Sequence, residues 1–227
     1  MLNVVERIDG TVKVNSVLAS VSDKTGLDTL VPALVKINPA IKIYSTGGTH
    51  KAIADILGQS ASQNLVQVSA YTGQPEMQGG LVKTLDFKIY LGLLSETYND
   101  AHVQDLQRTG AVAIDMVVVN LYPFKETIAK PDVTPEQARG NIDIGGPCMI
   151  RASAKNFIRV ASVTDPRDYR KVISEMKKSG GLVSLETRFK LARKAFTHTA
   201  SYDKAIAGYL RKCEFEKILG CYRITQA

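Results

Sequence analysis

The stretch 117–156 brings together a phenol, a carboxylate and an amine. It reads Val117-Val-Val-Asn120-Leu-Tyr122-Pro-Phe124, then Asn141-Ile-Asp143-Ile-Gly145-Gly146-Pro147, then Arg151-Ala-Ser-Ala-Lys155-Asn156. Tyr122, Asp143 and Lys155 can all give up or accept a proton, so together they are equipment for proton transfer. Each also suits a plainer duty: a Tyr in a core, an Asp capping a helix, a Lys on a surface. Elsewhere hydroxyls, glycines and lysines cluster in ways that suit an anion. Ser22-Asp23-Lys24-Thr25 supplies hydroxyls, an ammonium and turn N–H groups. Thr46-Gly47-Gly48-Thr49 supplies two glycines that let the backbone come close and two flanking hydroxyls. Lys83-Thr84, after Gly79-Gly80, adds a further cation and hydroxyl. Capping by Ser22 or Asp23 is the simpler use of the first cluster.

These residues need elements to position them. Met116 to Val119 reads as a buried strand, and the polar cluster follows its carboxyl end, where open α/β sheets bind ligands. Val17 to Ser22 and Ile41 to Ser45 read as two further strands, each delivering one anion-type turn. Parallel neighbours would set those turns side by side. Leu27, Leu30, Val31, Leu34 and Val35 recur at helical spacing, with Pro32 expected to delay or kink the helix. A second helix is expected over about Lys51 to Leu57, and Gln59 to Gln67 reads as polar and irregular. Tyr71 to Gly80 reads as a loop, and His102 to Arg108 as a short helix ending at Gly110. Pro147 suits the first position of a helix that Lys155 and Asn156 close. Thr134-Pro135-Glu136-Gln137 carries a capping box. Arg159 to Val163 reads as a strand, and Asp165-Pro166 as the start of a helix that buries Tyr169, Val172, Ile173 and Met176. Ser184 caps a long helix with Leu185, Phe189, Ala192, Phe196, Ala200 and Ile206 turned inward and Arg188, Lys190, Arg193 and Lys194 outward. Cys213 to Ala227 shows no pattern. The alternation predicts an α/β domain with a mostly parallel sheet, helices on both faces and a C-terminal helical extension.

The totals narrow the functional classes. A chain of 227 residues suits one large domain or one domain with an appendage. No apolar run is long enough to span a bilayer, and no signal-peptide pattern opens the chain, so a cytoplasmic location is expected and a membrane partner is not. Cys148, Cys213 and Cys221 form no CxxC pair and His50, His102 and His198 lie far apart, so no metal site is expected. The net charge of +7 is uneven: residues 1–150 hold 12 Lys+Arg against 15 Asp+Glu, and residues 151–227 hold 17 against 7. That basic third suits a solvated helix face better than nucleic acid, because no reading motif accompanies the charge.

In order along the chain stand Ser20-Val-Ser-Asp-Lys-Thr-Gly26, Ser45-Thr-Gly-Gly-Thr49, Val82-Lys-Thr-Leu85, Asn120-Leu-Tyr-Pro-Phe124, Asn141-Ile-Asp-Ile-Gly-Gly146, Ala154-Lys-Asn156 and Ala195-Phe-Thr-His-Thr-Ala200. Together they resemble the IMP cyclohydrolase domain that is joined to an AICAR formyltransferase in bifunctional purine-biosynthesis proteins. The resemblance covers roughly residues 16–212, leaving 1–15 as an N-terminal extension and 213–227 as a tail. It implies a methylglyoxal-synthase-like core over about 16–165, a helical extension to 212 and ring closure of 5-formamidoimidazole-4-carboxamide ribotide to IMP. It also implies a purine ribonucleotide substrate, a homodimer and no cofactor, and leaves room for a separate AICAR formyltransferase. By resemblance the catalytic group is Lys83, Tyr122, Asp143 and Lys155. Lys155 is assigned to proton transfer, Asp143 to orienting the carboxamide, and Lys83 and Tyr122 to the developing oxyanion. Substrate binding falls to Ser22, Asp23, Lys24, Thr25, Thr46, Gly47, Gly48, Thr49, Leu81, Val82, Lys83, Thr84, Val119, Asn120, Asp143 and Ile144.

The chain departs from the family where Gly-Arg-Val-Lys-Thr-Leu-His-Pro is replaced by Gly80-Leu-Val-Lys-Thr-Leu-Asp-Phe87, and at Tyr90-Leu91. Two other readings compete with the cyclohydrolase. A nucleotide-sensing module would need the anion seat but no proton-transfer group. A methylglyoxal-synthase-like lyase would need a carboxylate suited to a triose phosphate.

Overall fold

The computed structural model describes residues 4–75 and 83–225. Its strands are β1 (Thr11–Lys13), β2 (Ser16–Val21), β3 (Lys42–Ser45), β4 (Leu65–Gln67), β5 (Met116–Asn120), β6 (Ala161–Val163) and β7 (Leu182–Ser184). The first helices are α1 (Leu27–Ile37), α2 (Gly47–Leu57), α3 (Ala61–Asn64), α4 (Val68–Thr72), α5 (Phe87–Leu94) and α6 (Asp100–Thr109). They are followed by α7 (Phe124–Ile128), α8 (Pro135–Gly140), α9 (Gly145–Lys155), α10 (Tyr169–Ser179), α11 (Leu185–Lys212) and α12 (Phe215–Leu219). Five strands form a parallel sheet in the order β4-β3-β2-β5-β6, so the fold is the expected α/β layer structure. Among the described residues no helix is long and apolar enough to cross a membrane.

Alternation along the central strands divides the core in two. Val17, Ala19 and Val21 of β2 and Met116 and Val118 of β5 face one cluster, joined by Leu27, Leu30, Val31 and Leu34 of α1. Leu18, Val117 and Val119 face the other, joined by Met149, Ile150 and Ala154 of α9 and by Ala192 and Ala195 of α11. Strands with both faces covered read as near-continuous apolar runs, which is why β2 and β5 stand out in the sequence.

Several expectations need correction. α1 runs unbroken through Pro32, where a helix loses only one i−4 bond, and it does not start late. Its N-cap is Gly26 at φ 76°, with no side-chain cap from Ser22 or Asp23. α2 begins at Gly47 and not near Lys51, so the Gly-Gly turn is the helix's own first turn. The segment 59–67 holds a short 3-10 turn, α3 and the edge strand β4, and α4 occupies part of the expected loop. Elements of three to five residues are too short to show a period. Pro147 is the third residue of α9, not the first. Within the N-terminal extension, β1 pairs antiparallel with β7, Val12 opposite Val183. α12 supplies a turn of helix to the tail.

The largest correction concerns α11. Arg188 is 0% exposed, whereas Phe189 and Phe196 are 46% and 40% exposed. Ala200 is exposed as well. The buried stripe is Thr187, Arg188, Leu191, Ala192, Ala195, Thr199 and Tyr202. Ala192 and Ala195 let α11 lie close against α9 and β6, and the Phe189 and Phe196 rings are left to the outer face.

Candidate active site

The site collects at the carboxyl ends of β2, β3 and β5, where the sheet hands over to loops and helix starts. Asn120 ends β5 and braces the loop after β2: its Oδ1 accepts from the Ser22 and Asp23 N–H groups at 2.7 and 2.9 Å. Its Nδ2 donates to the Asp23 carbonyl at 2.8 Å. The Asp23 carboxylate turns to Thr25, whose hydroxyl and N–H hold it below the usual range. Thr49 is buried, and its hydroxyl both accepts from the Val21 N–H and donates to the Val21 carbonyl, each at 3.0 Å. Asn120 and Thr49 thus act as ties that set the loop and α2 in place.

What remains at the start of α2 suits an anion. Among the described residues, no side chain caps this helix and its first turn carries no acid. By contrast, Asn99, Thr134 and Ser184 cap α6, α8 and α11. A Cβ at Gly47 would stand 3.1 Å from the Lys83 ammonium, and one at Gly48 would stand 3.9 Å from that of Lys24. Two cations therefore lie over the positive end of a helix dipole, with room made by two glycines, and such a start binds phosphate readily. Gly47, at φ +48°, also has a backbone that L side chains rarely adopt.

Thr84, the next residue, reaches a second helix start. Its Oγ1 would lie 2.5 Å from a Cβ at Gly145, so the first turn of α9 closes tightly under a buried threonine. Just before that turn stands Asp143, whose Oδ1 accepts from the Gly146 N–H at 2.8 Å. Burial pushes its carboxyl above the ordinary value, against the opposing pull of the Gly146 and Tyr122 N–H groups. A Cβ on Gly146 would sit 2.6 Å from both Asp143 Oδ2 and Leu121 Cδ2, so only glycine leaves the carboxylate where it is. Tyr122 and Ile144 are 50% and 59% exposed, apolar surfaces beside the Asp143 carboxyl.

Other expected members stand apart. Leu81 and Val82 lie outside the described residues. Val119 is buried in the core, so only its backbone can serve a ligand. Lys155 is not brought to the cluster: it ends α9, roughly 15 Å of helix from Gly145. Its neighbours show the same. Asn156 donates to the Leu93 and Ser95 carbonyls at the far end of α5. Arg159 pairs at 3.3 Å with Asp115, which accepts from the Asn15 and Ser16 N–H groups at the amino end of β2. Lys155 is therefore exposed at the amino end of the sheet, opposite the other three. Asp86, where the resembled family carries His, caps α5 by accepting from the Lys88 N–H at 2.8 Å.

Tyr202 was missed in the sequence. It touches the Asp143 backbone from α11, 59 residues away, and only its place on that helix's inner stripe could have signalled it.

Comparison with known proteins finds relatives over most of the chain. The model of the MGS-like domain matches residues 26–148, and that of the AICARFT/IMPCHase bienzyme matches residues 153–226. The bifunctional purine biosynthesis protein PurH of Ruminiclostridium cellulolyticum is 48% identical over 86% of this chain. PurH of Neisseria meningitidis serogroup A is 46% identical over 92% of it. The chain spans only 36% and 38% of those two proteins. A solved structure described as the crystal structure of ForH superposes with a TM-score of 0.71 at 32% identity, covering 86% of this chain and 97% of that one. By fold, motifs and these matches, the chain belongs to the MGS-like domain family, in the branch that the AICARFT/IMPCHase bienzyme represents.

Proposed function

We propose that the chain is an IMP cyclohydrolase of purine biosynthesis, closing 5-formamidoimidazole-4-carboxamide ribotide to IMP. The observation that carries this reading is the Lys83-Thr84 dipeptide. Lys83 touches the uncapped start of α2 and Thr84 the start of α9, so an anion seat and Asp143 are neighbours. The similarity to PurH proteins adds the substrate class. In this reading the nucleotide phosphate rests against α2, Lys24 and Lys83, and the heterocycle lies toward Tyr122, Ile144 and Asp143.

Ring closure joins the carboxamide nitrogen to the formyl carbon, and the resulting carbinolamine loses water. The attacking nitrogen must shed a proton, the formyl oxygen gathers charge, and hydroxide must leave as water. Asp143, raised by burial and aimed by Gly146, takes the proton that the nitrogen sheds and returns it to the departing hydroxide, which leaves as water. Lys83 and Tyr122 stabilise the oxygen. In this reading the proton-transfer role that the resemblance assigns to Lys155 passes to Asp143, and the position of Lys155 at the far end of α9 supports the change. That same position is the observation favouring the second reading, a nucleotide sensor without turnover.

An absorbance assay of IMP formation from the formamido ribotide separates the two: turnover supports the enzyme, and tight nucleotide binding without turnover supports the sensor. Lys24→Ala should weaken nucleotide binding about 10- to 100-fold, the worth of one charge-assisted hydrogen bond, and raise KM more than it lowers kcat. Lys155→Ala should leave the IMP Kd within about twofold, since surface charges farther apart than about 10 Å are largely screened. Titration calorimetry on both variants reads this, and an equal loss in each would undo the placement of the anion seat.

A further inference from the structure

Asp143 lies in the short connection between α8 and α9, a place where a carboxylate needs outside support to keep one orientation. The Asp143 backbone N–H donates to the Tyr202 phenol oxygen at 2.8 Å. That phenol donates in turn to the Asn141 carbonyl at 3.2 Å. A single hydroxyl thus bonds both sides of Ile142, using its donor and an acceptor position together. The ring is buried edge-on against Phe124, with centroids 6.1 Å apart, and Phe124 is itself fully packed. Tyr202 therefore has little freedom to follow the connection if it moves.

We propose that Tyr202 is a positioning residue for Asp143: from α11 it fixes the 141–144 connection so that the carboxylate stays against the first turn of α9. The proposal rests on Asp143 being the reacting carboxylate. Without the phenol, the Asp143 N–H and the Asn141 carbonyl lose their partner, and water gains access to the connection. The charged and titratable groups facing this spot are Tyr122 after β5 and Tyr202 and Asp203 on α11, with the Gly146 N–H on α9. None of them replaces a hydroxyl that serves both the N–H and the carbonyl.

Tyr202→Phe keeps the ring against Phe124 and removes only the hydroxyl. Carbon-13 titration of the Asp143 carboxyl should show its pKa falling toward the ordinary aspartate value, because a looser connection hydrates the carboxylate. Turnover should fall about 10- to 100-fold, as for a misplaced reacting group, while the IMP Kd changes by less than about twofold. In an Asp143→Asn background the same substitution should change turnover by less than about twofold, because both variants remove one function. An unmoved carboxyl titration would overturn the proposal, as would an equal loss of turnover in both backgrounds. If the parent chain shows no turnover, the cyclohydrolase reading fails, and the carboxyl titration alone still decides the role of Tyr202.

Discussion

Asp143→Asn should lower kcat by roughly 10²- to 10⁴-fold, the usual contribution of a general acid–base group. Asparagine keeps the shape and can still accept from the Gly146 N–H, so the start of α9 should not shift. IMP affinity should change far less, because the anion seat at Lys24, Lys83 and α2 is untouched. The acid limb of the parent's pH–rate profile should follow the same carboxyl. Its pKa is raised from 3.8 by burial, so turnover should rise with pH through a midpoint above that value, and the limb should vanish in the variant. Stability runs the other way. A carboxyl whose folded pKa exceeds its unfolded one binds more protons when folded, so stability falls as pH rises from the unfolded pKa through the folded one. Above that window the parent bears the cost of a buried charge and the variant does not. Asp143→Asn should therefore melt no lower than the parent at neutral pH, a loss of turnover without loss of stability. Full turnover in this variant would remove Asp143 from the chemistry, and a sharply lower Tm would make it a structural residue instead.

The sequence made the sheet and its loaded end legible because both rest on local signals. β2 and β5 are apolar on both faces, and the capping box at Thr134, the Gly110 helix end and the Ser184 cap each fall where short-range chemistry puts them. The candidate anion seat was legible as two turns set side by side with Lys83-Thr84 as an added cation and hydroxyl, but not which helix start each of that pair reaches. That Lys83 crosses over to Gly47 while Thr84 crosses to Gly145 is a product of topology that no spacing encodes. Lys155 shows the opposite failure. A motif placed it with Asp143, yet the helix joining them is a rigid rod with one residue at each end. Counting about 1.5 Å per residue would have exposed the conflict from sequence alone. Arg188 could not have been found that way. A cation beside Lys190 and Arg193 reads as one more solvated charge, and its burial depends on carbonyls from three segments, two of them distant in sequence.

Those carbonyls make Arg188→Met the substitution with the largest expected effect on stability. The guanidinium is wholly buried and donates through Nε to Phe157 O at 3.0 Å and through Nη1 to Val183 O at 2.6 Å. Through Nη2 it reaches Asp9 O at 2.7 Å and Ile158 O at 3.0 Å. It thereby joins the N-terminal segment, the approach to β6 and strand β7 around the base of α11. Replacing a buried ion pair with apolar residues is often harmless, because both charged partners can be removed together. Here the partners are backbone carbonyls, which no substitution removes. Methionine fills much of the space but leaves acceptors buried without donors, at about 1–3 kcal/mol each. Even with some of them rehydrated, a loss of about 4 kcal/mol or more is expected, in the range reserved for broken buried networks. For a chain of this size that lowers Tm by roughly 8–16 °C. Arg188→Lys should fall between, since a single ammonium with three donors cannot span a fork of four carbonyls. Turnover per folded molecule should be unchanged in both, because Phe157 and Ile158 precede β6 at the amino end of the sheet, opposite Asp143. Thermal unfolding of the three proteins at one pH measures the order directly. A methionine variant that melts within about 3 °C of the parent, a loss near 1 kcal/mol, would mean that the four carbonyls find other donors and that Arg188 does not hold the base of α11.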